Sequence, residues 1–228
     1  SSDIENWNKQ FKQEINDGLD IAFAKALPQS TPEQELEDVF APHTHHRVEP
    51  QSSTQKIRVV DAIKDGLEEA MDSFDDLIIM GQDIAEYGGV FKITDGFVEK
   101  YGRGRVRNTP ICESAIVEAA MGLSIAGMKA VVEMQFADFV SSGFNPIVNY
   151  LAKSHYRWNQ KADVVIRMPC GAGVGAGPFH SQSNESWFYT VPGLKIVYPS
   201  SPADAKGLLI ASIEDPNPVL FFEHKALY

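Results

Sequence analysis

Cysteine is scarce: Cys112 and Cys170 are the only two in 228 residues. Their spacing offers neither a disulfide framework nor a zinc knuckle, and a reducing cytosol or organelle matrix is the default compartment. Basic residues are outnumbered, with 20 Lys and Arg against 31 Asp and Glu and a formal net charge of −11. Without a compensating basic block, no nucleic-acid partner is expected. Arg103, Arg105 and Arg107 form the only local basic cluster, and a solvated loop or strand face accounts for it. No apolar run approaches the ~20 residues of a membrane span, so no membrane partner is expected. No signal peptide is visible, although the chain opens at Ser1-Ser2 without Met, so that absence proves little. Walker A and HExxH patterns are missing too.

The composition is that of an ordinary globular protein, with 43% hydrophobic and 22% charged residues. Ile4, Trp7, Phe11, Ile15, Ala22 and Ala26 recur at helical spacing, which predicts one amphipathic helix over the first ~27 residues. Ser2 or Asp3 can cap it, and Pro28 stops it. The run Gln29 to Glu33 offers a second cap with Pro32 in the first turn, opening a short acidic helix through Val39 and Phe40. Residues 1–41 thus form a helical tail. Residues 42–56 lack apolar periodicity and read as a linker. His43, His45 and His46 lie in it, and an exposed polar linker explains them more readily than a metal does.

From Ile57 to Tyr228 the pattern changes. Helical stretches are predicted at Val59 to Phe74, Glu113 to Ile125, Asn145 to Arg157 and Pro202 to Glu214. Apolar strands are predicted at Leu77 to Met80, Ala130 to Val132, Val164 to Ile166, Lys195 to Tyr198 and Val219 to Phe222. Continuous apolar strands alternating with helices imply an α/β fold, a parallel sheet flanked by helices on both faces. Ligands in such sheets sit outside the carboxyl ends of the strands.

Three segments place polar groups at that edge. In Asn108 to Glu113 a carboxylate follows a short strand and enters a helix. It is either a favourable partner of the helix dipole or a group that shares a proton with a ligand nitrogen. In Glu133 to Phe139 the aromatic residues are core, or Phe139 covers a flat heterocycle while Gln135 donates to it. In Cys170 to Ser183, Gly stands at every second position from Gly171 to Gly177. The loop fails the dinucleotide fingerprint because Ala176 replaces the third Gly. It fits a backbone that must approach something closely. His180 ends that loop, as a structural hydrogen-bonder or as a functional imidazole.

Together these segments resemble the β part of thiamin-diphosphate-dependent 2-oxo acid dehydrogenase E1 enzymes, from about Lys56 to Tyr228. The resemblance rests on Gly81-Gln82-Asp83-Ile84-Ala85, Gly88-Gly89-Val90-Phe91, Asn108 to Glu113, Gln135 to Phe139, Phe179 to Ser183, Pro192 to Lys195 and Asp204 to Leu208. Gly88 to Phe91, the run Gln135 to Asp138, and His180 to Ser183 look like the branched-chain members rather than the pyruvate members. Glu33 to Phe40 is similar to the C-terminal end of the E1 α subunit, so the chain looks like the middle of a fused αβ enzyme. It departs from that family in two ways. No Gly-Asp-Gly with a later Asn-Asn is present, and the family continues beyond Tyr228 into a C-terminal domain.

The resemblance implies a transketolase-type pyrimidine-binding domain over residues 57–228. It implies that Glu113 bonds the pyrimidine N1′ of thiamin diphosphate, Phe139 stacks on that ring, and Gln135 and Ile111 contact it. His180 would act near the reacting carbon. It further implies a structural potassium ion at Ala162, Val164, Val165, Ser212, Asp215 and Asn217, mostly through backbone oxygens. Magnesium and diphosphate would be held outside this chain, on an E1 α-type domain. Other implied partners are a second E1 protomer, the lipoyl domain of E2 and the 2-oxo acid itself. The implied activity is lipoamide-type oxidative decarboxylation of 3-methyl-2-oxobutanoate, with this piece inactive alone, in a bacterial cytoplasm or a mitochondrial matrix. Pyruvate or acetoin dehydrogenase E1 is the nearest alternative. A non-catalytic nucleotide-binding module, testable with NAD or ATP, is the alternative from another class.

Overall fold

The computed structural model describes residues 2–45, 48–49 and 56–228. Two compact units divide between Glu37 and Asp38. The first holds α1 (Ser2–Phe23) and α2 (Pro32–Glu37). α1 ends sooner than Pro28 requires, with Ala24 and Lys25 in a turn and bend. α2 opens on a reciprocal cap. Gln34 N donates to Thr31 Oγ1 (3.3 Å), and Thr31 N donates to Gln34 Oε1 (3.0 Å).

α2 does not run on through Val39 and Phe40. Residues 38–41 belong to the second unit, because long-range partners hold their backbone there. Ala41 N donates to Asn217 Oδ1 (2.7 Å) and Ala41 O accepts from Asn217 Nδ2 (3.0 Å). The Lys195 ammonium lies 5.5 Å from the centre of the Phe40 ring.

The second unit continues with α3 (Val59–Ser73), β1 (Leu77–Gly81), α4 (Phe97–Tyr101), β2 (Val106–Asn108), α5 (Glu113–Ile125) and β3 (Lys129–Glu133). Next come a 3₁₀ turn (Ala137–Gly143), α6 (Phe144–Pro146), a π turn (Ile147–Leu151), α7 (Ser154–Trp158) and β4 (Val164–Cys170). After short 3₁₀ turns follow β5 (Lys195–Val197), α8 (Pro202–Glu214) and β6 (Val219–His224). Six strands, all parallel, lie in the order β2-β1-β3-β4-β6-β5. The chain reverses its direction of travel across the sheet between β1 and β3. That is the switch point where open α/β sheets receive ligands.

Strand side chains alternate between two cores. Ile79, Val131, Val165 and Phe221 pack on one side with Ile63, Leu67 and Met71 of α3 and Leu209 and Ile213 of α8. Met80, Val132, Ile166, Leu220 and Phe222 pack on the other with Ile116, Val117 and Ala120 of α5. Each large apolar side chain buried in this way contributes about 1.5–3 kcal/mol. The sheet is therefore covered on both faces, as continuous apolar strands require.

The single helix expected from Asn145 to Arg157 is broken. Pro146 lacks the N–H of a regular turn. Ala152 N reaches back to Ile147 O (3.0 Å), one residue further than in an α-helix. The Ala152 carbonyl then faces Gly193 (φ +90), where a Cβ would lie 1.8 Å from its oxygen. Only glycine fits there.

Candidate functional site

The carboxyl ends of β1 to β4 meet at one edge, and the polar segments leave from it. Glu113 is the first residue of α5 and is 9% exposed. Its preceding residue, Cys112, provides no side-chain cap, so a carboxylate at the helix start offsets the orphan amides. Gln82, directly after β1, donates from Nε2 to Glu113 Oε1 (3.0 Å). Sequence reasoning saw Gln82 only as part of a motif. This contact makes it the residue that fixes the Glu113 carboxylate.

The 3₁₀ turn after β3 carries Phe139 and packs on α5. A Cβ on its Gly143 would lie 3.4 Å from the Glu113 carbonyl oxygen. Phe136, Phe139 and His180 form one aromatic cluster. The imidazole stands edge-on to Phe136 (centroids 4.7 Å apart) and to Phe139 (5.4 Å). Both Phe139 and His180 are half-buried. Asp138 anchors the His180 loop, since its Oδ1 accepts from Ser181 N and Gln182 N (3.2 Å each). Asn184 Nδ2 donates to Ala137 O (2.9 Å) from the other side. His180 Nδ1 is buried without a hydrogen-bond partner among the described residues.

The glycine loop is left-handed at every second residue, with φ of +78°, +135°, +69° and +79° at Gly171, Gly173, Gly175 and Gly177. The close approach expected of it is to the protein itself. A Cβ on Gly171 would lie 2.4 Å from His224 Nε2. The loop therefore shapes the edge and carries His180.

Gln135 is half-buried at the exit of β3, and Ile111 is 85% exposed at the same edge. A cavity of about 280 Å³ opens beside β2, lined by Ala85, Glu86, Arg103, Val106, Arg107 and Asn108. None of the expected site residues lines it. Arg103 pairs there with Glu86 (2.6 Å).

Below the edge lies an ionic group that the sequence reading did not single out. Arg167 of β4 is fully buried. It donates to Glu133 of β3 (2.9 Å) and twice to Glu223 of β6 (2.7 Å each). Tyr228 OH also donates to Glu223. Burial drives the Glu133 carboxyl above its ordinary value despite Arg167. The signal was present as one charge directly after each of the apolar runs Ala130 to Val132, Val164 to Ile166 and Val219 to Phe222, because a buried charge requires a partner. Nearby, burial pushes the Cys170 thiol up to about 11, so it is protonated at neutral pH and offers no nucleophile.

These residues fit a flat, partly polar heterocycle, with a buried carboxylate beside the switch point, an aromatic ring on the next turn and an unpaired imidazole nitrogen. The potassium positions fit only through backbone. Ser212 Oγ donates to Leu208 O (2.6 Å), Asp215 pairs with Lys195, and Asn217 is held by Ala41.

Residues 55–228 match the family described as transketolase, pyrimidine binding domain. The chain is 46% identical over 171 residues to the 2-oxoisovalerate dehydrogenase subunit beta of Bacillus subtilis (strain 168), covering 74% of this chain and 52% of that protein. It is 42% identical over 174 residues to the pyruvate dehydrogenase E1 component subunit beta of Acholeplasma laidlawii, covering 75% and 53%. The chain thus spans about half the length of the curated relatives it matches. A solved split-gene transketolase, described as an inactive β4 tetramer, superimposes with a TM-score of 0.59 at 20% identity, over 75% of this chain and 52% of that one. That likeness concerns the fold.

Proposed function

Because this chain belongs to the transketolase pyrimidine-binding domain family, we propose that it supplies the pyrimidine-recognising half of a thiamin-diphosphate-dependent 2-oxo acid dehydrogenase E1. The observation that carries this reading is the buried Glu113 carboxylate, held by Gln82 at the switch point of the sheet. When bound, thiamin diphosphate supplies the carbanion-like carbon that the 2-oxo acid needs for decarboxylation. Glu113 would hold the pyrimidine N1′ and exchange a proton there. Gln82 keeps one carboxylate oxygen in place. Phe139 would cover the ring, backed by Phe136, while Gln135 and Ile111 flank it. His180, with Nδ1 uncommitted, would stabilise charge or move a proton on the substrate side.

The diphosphate and its magnesium would be held by an E1 α-type domain, and a second protomer would complete the enzyme. A structural potassium would rest on carbonyls at Ala162, Val164 and Val165. The acyl group would pass to the lipoyl domain of E2, in a bacterial cytoplasm or a mitochondrial matrix. Branched-chain 2-oxo acids are the proposed substrates. The runs Gly88 to Phe91, Gln135 to Asp138 and His180 to Ser183 support this choice, as does the similarity to 2-oxoisovalerate dehydrogenase beta subunits.

The test is Glu113→Gln in the complete enzyme. Gln keeps the shape and the hydrogen bond but cannot exchange the proton. Turnover should fall by about 10²–10⁴-fold with the melting temperature unchanged. Turnover near the wild-type rate would remove Glu113 from this role.

A further inference from the structure

We propose that His43, His45 and Asp215 form a zinc site that ties the first residues of the α/β unit to the end of α8. One ligand atom from each of the three lies within 4.8 Å of the others. The two imidazoles already meet edge to face, with centroids 4.5 Å apart. The Ala41–Asn217 pair holds the chain two residues before His43, so the histidines are delivered to Asp215 by an anchored backbone. Asp215 is buried and half-buried His43 sits beside exposed His45, which leaves the outer side open to solvent.

Two neutral imidazoles and one carboxylate, with a water in the fourth position, are a donor set that suits zinc. Hard cations such as potassium and magnesium take oxygen ligands. The site is therefore distinct in chemistry from the potassium positions above, although both draw on Asp215. Its function would be a clamp, independent of the reading of Glu113. The resident cation at Asp215 is the Lys195 ammonium, whose side chain is 30% exposed. Lys195 can swing outward, so zinc and the ammonium compete for one carboxylate.

The experiment uses the chelator-treated 228-residue chain, zinc chloride alone as the probe, calorimetry for affinity and thermal melting for stability. Wild type should bind one equivalent of zinc and melt at a higher temperature with it. His43→Ala/His45→Ala should lose both effects. Lys195→Met removes the competitor and should tighten binding by about 10–100-fold, the range of outer-sphere effects on metal affinity. Absence of saturable binding in wild type, or unchanged binding in the double variant, would overturn the site. Unchanged or weaker binding in Lys195→Met would overturn Asp215 as the third ligand.

Discussion

The ends of β3, β4 and β6 differ from the loops that leave them. In the strands, Arg167, Glu133 and Glu223 satisfy one another as a buried group, to which the half-buried Tyr228 beyond β6 adds its hydroxyl. In the loops a few residues on, His180 Nδ1, Asp138 Oδ2, Asn184 Oδ1, Glu185 Oε2 and Lys225 Nζ are buried without hydrogen-bond partners among the described residues. An unsatisfied buried group costs about 1–3 kcal/mol, so natural folds keep few of them. The contrast teaches that the floor is satisfied by its own side chains, whereas the rim keeps unpaired polar atoms beside the proposed site.

His180→Ala is the strongest probe of the rim. Turnover of the complete enzyme should drop by about 10²–10⁴-fold, with kcat and kcat/KM falling together. Stability should change by no more than the loss of its aromatic edges, about 0.5–1.5 kcal/mol each. Steady-state kinetics beside thermal melting separates the two effects. Lost cofactor affinity with unchanged saturated turnover would place His180 on the cofactor instead.

Arg167→Leu attacks the floor. Two buried carboxylates would lose their counter-charge, and stability in urea unfolding should fall by about 3–5 kcal/mol. The pH dependence follows from Glu133. Its folded-state value is raised, so its contribution favours folding at low pH and is lost as pH rises through the folded-state value. Without Arg167 that rise is larger, so the deficit of the variant should shrink on acidification. A small, pH-independent deficit would mean the floor is not held by charge.

Lys225→Met gives the smallest effect and the opposite sign. Burial holds the Lys225 amine below its ordinary value against the opposing pull of Asp138, and its ammonium, 5.2 Å from the Phe136 ring, makes no hydrogen bond among the described residues. Removing it should stabilise the chain by about 1–3 kcal/mol at neutral pH. The gain should shrink as pH rises from the folded-state value toward about 10.4, the unfolded one, because the wild type then sheds its penalty. Denaturation at neutral and alkaline pH checks this, and a destabilised variant would show that Lys225 already has a stabilising partner.

Much of this architecture was legible without coordinates. α5 and α8 begin and end where periodicity, a strand exit and Pro202 placed them, and β1 ends at Gly81 as its apolar run does. Glu113 was legible for the same reason, since a carboxylate between a short strand and a small-residue helix can be read from neighbours in sequence. Gln82 on Glu113, Arg167 between Glu133 and Glu223, and His43 and His45 beside Asp215 were not. Nor were the π turn at Ile147–Leu151 and the docking of residues 38–41. The sequence alone determined where the strands, the long helices of the α/β unit and the polar edge lie, because hydrophobic period and turn chemistry act over a few residues. Tertiary structure alone decided which charges meet, because strand register and loop docking bring together groups that no local pattern connects.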